Sequence, residues 1–316
     1  MFELRQSLRE HGTATDGQAL GEWARATVLA LHLFGAHVRR PDEDRAGHLT
    51  LVHLNAAHHI FRESRKQGPP ESVHDCMLHE AYIIRTSINC LYQPSISFPI
   101  DYVRQLVDQH ENDLRAFGVI PSLRIRPWIG IIGTDMVDTM YRLSWLAHRV
   151  SLDESDSQKA ADIAAWLELW QVPEVEGGGA DEGAIEYARG TGRAYWHSCS
   201  LLCRLLRPYG SGYNDAEFLT HHKQEGMAVV DLLSRKHPMS LAVTSPRLVL
   251  SLTLDSEHEL HHRKATLQRL ADALGYEITL RVARMLDNLY DRAISRSGLP
   301  DMRGLMEFIT SQNLFL

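Results

Sequence analysis

Cysteine is scarce in this sequence: Cys76, Cys90, Cys199 and Cys203 are the only four among 316 residues. They are too few and too scattered for a secreted disulfide scaffold. Cys199 and Cys203 lie one helical turn apart, a spacing that suits two small buried side chains better than a metal or redox pair. Long apolar runs are missing too, since no stretch approaches the ~18 uninterrupted apolar residues of a membrane span. The opening MFELRQSLREHG lacks the apolar segment of a signal peptide, so the expectation is a cytoplasmic protein. Basic excess is absent: 33 Lys and Arg face 40 Asp and Glu, for a net charge of -7. That balance argues against direct binding to nucleic-acid backbones, which needs a basic face. Arg39, Arg40 and the 62–66 stretch are too short and too mixed with acids to form a nucleic-acid arm. GxSxG, a Walker loop, a dinucleotide fingerprint, HExxH and CxxC do not occur. Their absence sets aside the commonest hydrolases, NTPases and Rossmann oxidoreductases, and leaves cofactor-free chemistry open. No period-two alternation marks a strand, and no repeat of 20 to 50 residues is found.

What is present is helical periodicity over most of the chain. Hydrophobic residues make up 44% of it, enough for a substantial core. The expected architecture is all-α, a multi-helix array around one buried core in a single domain spanning 1–316. Helical spacing covers 18–39, 44–66, 71–92, 100–117, 128–150, 160–170, 181–206, 216–236, 246–274, 278–289 and 300–310. Thr134 or Asp135 is the expected cap of the helix after Ile132, and 151–158, SLDESDSQ, reads as a short acidic loop. The one flexible loop is 172–183, VPEVEGGGADEG, where glycine and acid content disfavour packing. His48, His53, His58 and His59 share one helix, but their spacing is poor for a zinc site, so no metal is expected.

The stretch 181–206 organises the rest. Ile185, Ala188, Tyr195, Cys199, Leu202 and Leu206 line one face, while Gly190, Gly192 and Ala194 thin the helix where Arg189, Arg193, Trp196 and His197 cluster. Glycine inside a helix costs about 1 kcal/mol against alanine, so two close together imply either close packing by another helix or room for a ligand.

Three stretches together resemble the fungal-specific transcription factor domain, the helical regulatory region that follows a Zn(II)2Cys6 cluster: IIGTDMVDTMYRLSWLA (131–147), ARGTGRAYWHSCSLLCRLL (188–206) and PRLVLSLTLDSEHELHHRKATLQRLADALG (246–275). The resemblance implies a large helical domain with apolar cavities between its helices. The cysteine cluster of such regulators is not found here, because the four cysteines stand in the wrong places for it.

Two functions follow from that departure. In the first, the helical domain is repurposed as a cofactor-free cyclase or pericyclase of the Diels-Alderase kind, acting on an apolar terpenoid or polyketide intermediate. Such catalysis folds the substrate into a reactive conformer and donates a hydrogen bond to a carbonyl that gains charge. Tyr195, His197, Tyr141 and Arg142 are the candidate catalytic groups; Trp145, Trp196 and Arg193 are the candidate substrate contacts. In the second, the chain is a regulator or co-regulator without its own DNA-binding cluster, sensing a metabolite, acting through a homodimer and residing in the nucleus. A metal-dependent terpene cyclase is a third reading, with Asp287 and Asp291 in DNLYD mimicking a magnesium site. Flanking Arg284 and Arg292 favour ion pairing instead. Glu257, His258, His261 and His262 share a helix side and form one further acid/base candidate.

Overall fold

The computed structural model describes residues 26–27, 55–66, 68–92, 98–118, 129–149, 151–172, 182–206, 215–236, 243–253, 257–274, 277–295 and 305–308. All regular structure among them is helical. Residues 55–66 form α1, followed by α2 (Val73–Cys90), α3 (Tyr102–Ala116), α4 (Ile129–Ile132), α5 (Thr134–Ala147), α6 (Glu154–Leu169), α7 (Glu182–Leu205), α8 (Asp215–Lys236), α9 (Thr244–Leu250), α10 (Glu257–Leu274) and α11 (Glu277–Ser295). A 3-10 turn, Ser251–Thr253, extends α9, and 305–308 are helical. The all-α expectation therefore holds for the described residues. The helix expected over 18–39 lies outside them except at 26–27, as do His48, His53, Trp128 and most of the loop 172–183.

Local chemistry explains where the helices begin. Ser72 accepts a hydrogen bond from the Asp75 amide at 3.1 Å and caps α2. Asp153 does the same for the Asp156 amide at 2.8 Å, so α6 starts at Glu154. This corrects the expected acidic loop: most of it is the first turn of α6, where Glu154 and Asp156 complement the positive end of the helix dipole. Neither Thr134 nor Asp135 caps α5. Gly133, at φ 92°, separates α4 from α5 and leaves α5 without a side-chain cap. That left-handed backbone suits glycine because it has no Cβ. The Ile129 amide, at the start of α4, is met by the buried Glu80 of α2 at 2.6 Å.

One buried cluster runs from Ala57 and Phe61 through Tyr82, Val107, Met140, Leu202 and Leu248 to Met285 and Phe308. Each large aliphatic side chain buried in this way contributes about 1.5–3 kcal/mol. A second cluster, including Ala194, Met227, Val230, Leu233 and Leu250, seals α8 onto α7 and α9. α7 packs against α4, α5, α6, α8 and α9, so the helix that stood out in the sequence is the axle of the described fold. No described helix is long and apolar enough to cross a membrane.

The glycines of the α7–α8 contact have distinct jobs. A Cβ on Gly190 would meet the Leu233 side chain at 2.8 Å, and one on Gly226 would meet His197 Cβ at 2.8 Å and Leu250 at 2.9 Å. Close helix packing thus accounts for Gly190. Gly192 instead faces the carbonyls of Ile131 and Ile132 at an ordinary 3.8 Å.

Candidate functional site

Between α7 and α8 runs a groove of about 450 Å³, which is the size of a small-molecule pocket. Its floor is apolar: Val172, Tyr187, Gly190, Val229, Leu232 and Leu233. Leu232 is 45% exposed, an unusual placement for a leucine on a packed helix. The lining also includes the cations Arg189, Arg193 and Lys236 together with Glu186. Lys236 is tied to Glu186 at 2.8 Å. The α7 positions 186, 189/190 and 193 form one stripe at helical spacing, which is why a single helix edge presents them together. The groove therefore suits an apolar ligand with an oxygen-bearing end.

A smaller pocket of about 100 Å³ lies between α6, α7 and α8, lined by Ala164, Leu167, Trp196, Cys203, Phe218 and His222 among others. Trp196 donates its indole N–H to the Leu167 carbonyl at 2.8 Å and stacks on Trp170. Beside it, His197 Nδ1 lies 3.2 Å from His222 Nδ1. Both rings are buried. Burial, then the neighbouring His222, Arg193 and His221 charges, push His197 down to about 3; burial and His221 push His222 down to about 4. Two neutral imidazoles can share one proton between facing nitrogens, with one donating and the other accepting.

The sequence-derived candidates fall into several environments. Arg193 lines the groove and Trp196 the smaller pocket. His197 faces α8 through its histidine partner. Tyr141 is buried and its hydroxyl donates to the carbonyls of Phe98 and Pro99 at 3.4 and 3.3 Å. Trp145 donates to the same Phe98 carbonyl at 2.9 Å, with the Arg149 guanidinium 4.4 Å above its ring. The four-residue spacing does put both on one face, where they pin the segment entering α3. Arg142 reaches Asp138 at 4.0 Å, and burial raises the Asp138 carboxyl to about 6 despite Arg142 and Arg104. Tyr195 lies at the centre, 1% exposed, with a hydroxyl that has no hydrogen-bond partner among the described residues. Burial drives its phenol far above the ordinary range, so it is a neutral donor at every physiological pH.

The weaker candidates resolve differently. Asp287 pairs with Lys264 of α10 at 2.6 Å, an ion pair supplied by the neighbouring helix. His258, His261 and His262 are exposed, and His261 Nδ1 donates to the Glu257 carbonyl at 2.8 Å. No group of three or more His, Cys, Asp or Glu among the described residues is arranged to hold a metal ion. His58 sits with Tyr82 and Tyr102, at 2.6 and 3.1 Å from their hydroxyls. Cys199 and Cys203 are buried and not joined in a disulfide, the Cys203 thiol donates to the Ala160 carbonyl at 3.6 Å, and burial raises the Cys199 thiol.

Sequence reasoning did not single out Lys236, His222 or Arg85. Arg85 carried a signal, because a charged residue interrupts the apolar run YIIRTSIN. No family model, curated protein or solved structure matches this chain, so the side chains described above carry the functional reading alone.

Proposed function

We propose that the chain binds an apolar small molecule bearing a carbonyl or carboxylate in the α7–α8 groove, and acts on it as a cofactor-free cyclase or isomerase of the terpenoid or polyketide type. One observation carries this reading: Arg189 and Arg193 stand over a floor of Val229, Leu232 and Leu233 in a cavity of about 450 Å³. An apolar groove selects a compact conformer of a flexible chain, and a guanidinium beside it stabilises charge that gathers on a carbonyl oxygen during ring closure. Neither step needs a nucleophile.

A second reading is favoured by the placement of Tyr141 and His197, whose polar atoms are engaged by Phe98, Pro99 and His222 instead of facing the groove. In that reading the same groove binds without turnover, as in a metabolite-sensing regulatory domain of the kind the sequence resembles. The net charge of -7 supports action through a partner over direct contact with nucleic acid.

Metal-stripped protein incubated with extracts of the source strain deleted for this gene distinguishes the two by mass spectrometry. Conversion of an accumulated compound to an isomer of equal mass supports the cyclase. Retention of an unchanged compound, lost in the Arg189→Ala/Arg193→Ala variant, supports the sensor. Neither retention nor conversion removes the groove from consideration.

A further inference from the structure

The pocket between α6, α7 and α8 is separate from the groove and has its own chemistry. Three rings wall its space of about 100 Å³: Trp196 of α7, and Phe218 and His222 of α8. The His222 ring centre lies 4.3 Å from that of Phe218 and 5.0 Å from that of Trp196. Trp196 offers the pocket its ring and not its N–H, which is given to the Leu167 carbonyl. Arg204 and Glu168 also line the space, one cation and one acid, and the Arg204 guanidinium lies 5.9 Å over Phe218. With His222 neutral the lining carries no net charge.

His222 is the polar ring of this wall. It is 6% exposed, and its Nδ1 is engaged by His197 Nδ1 at 3.2 Å. Its Nε2 has no hydrogen-bond partner among the described residues. A polar atom on a buried ring is costly without a partner, so a ligand that supplies one is favoured. The histidine pair sets what that partner can be. With both rings neutral, one Nδ1 carries a proton and the other accepts it. If His197 donates, His222 keeps its proton on Nε2 and offers a donor. If His222 donates, its Nε2 is bare and accepts. Neither tautomer is charged, so the wall can meet a hydroxyl in either role but adds no charge to hold a carboxylate. An apolar cavity of about 150 Å³ takes up benzene, and about 100 Å³ with the exposed Glu168 at its rim is on the same scale. We propose that this pocket is a second binding site, distinct from the groove, for a neutral single-ring aromatic alcohol of the phenol type, its ring against Trp196 and Phe218 and its hydroxyl on His222 Nε2.

Titration calorimetry of the full chain with phenol, benzene and benzoate tests this site. Phenol should bind about fivefold more tightly than benzene, the worth of one hydrogen bond, and benzoate more weakly than either. His222→Phe keeps an aromatic wall without a nitrogen and should bring phenol down to the affinity of benzene. Arg189→Ala/Arg193→Ala should leave the phenol affinity as it is. Loss of phenol binding in that variant would place the ring in the groove and overturn this proposal while leaving the reading of the groove intact. Crystals of the unaltered protein soaked in 4-bromophenol should show an anomalous peak in the pocket, with the hydroxyl within reach of His222 Nε2, a result that stands even if His222→Phe does not fold. Equal affinities for phenol and benzene overturn the proposal whatever the crystals show. So does bromine found only elsewhere, or benzoate bound more tightly than phenol.

Discussion

The two sides of α7 use polar groups in opposite ways. Toward α8, the backbones come close enough that Gly226 is required and Gly190 nests against Leu233, the buried histidines face each other, and the arginines are pushed to the rim of an open groove. Toward the interior, Tyr195 is buried with a hydroxyl that has no hydrogen-bond partner among the described residues, as have the buried hydroxyls of Tyr92 and Ser245. The first side is tight and set for a neutral interior. The second holds unbalanced polarity. A helix that looks uniformly amphipathic therefore has one side defined by shape and one by polar groups left without partners among the described residues.

Acid should break the α8 side most severely. His197 and His222 take up protons near pH 6.5 when unfolded, but only near about 3 and 4 when folded. Between those values the unfolded chain binds more protons, so stability falls as pH drops below about 6.5 and stops falling near the folded values. At pH 5 the loss is on the order of 2 kcal/mol per histidine. Urea unfolding at pH 7 and pH 5 measures it, and His222→Gln should flatten the difference. An unchanged midpoint at pH 5 would show that the pair is already charged or solvated.

Next in size is the helix contact itself. Gly226→Ala forces a methyl group against His197 Cβ, which cannot swing away, and should destabilise by about 2 kcal/mol. Gly190→Ala meets only the tip of Leu233, and the gain in helix propensity offsets the crowding, so its net effect should stay within about 1 kcal/mol. Equal Tm losses for the two variants would contradict the packing difference between these sites.

The groove and the interior should also separate in binding. Arg189→Ala/Arg193→Ala should weaken an apolar carboxylate probe, such as a medium-chain fatty acid, by about tenfold in titration calorimetry, or ~1.4 kcal/mol. Tyr195→Phe should leave that affinity unchanged. The smallest effect is on stability: removing the Tyr195 hydroxyl, which has no partner among the described residues, should change unfolding free energy by less than about 1 kcal/mol.

Much of the helix count was readable because core positions recur every three or four residues, and α7 could be placed almost to the residue. Boundaries were less legible where a polar side chain serves the backbone. SLDESDSQ looks like a loop by composition, yet Asp153 folds it into the start of α6. The cap expected at Thr134 or Asp135 failed because Gly133 makes the break by backbone conformation alone. For the site, Arg193 was legible because it lies among glycines on an unusual helix turn. Lys236 and His222 were not, because they come from a helix whose orientation depends on tertiary packing. Tyr141 and Trp145 were correctly paired on one face, but a face pattern does not reveal that carbonyls of 98 and 99 will occupy their polar tips.

Gly226 has a reach beyond its own contact. It lines no wall of the groove, yet the missing side chain there lets α8 settle against His197 and so sets how far Val229 and Leu233 stand from Arg193. The width of the groove is then governed by a position that does not line it. A lineage adapting this scaffold to bulkier molecules would gain more from enlarging residue 226 and re-seating the helix than from trimming the arginines at the rim.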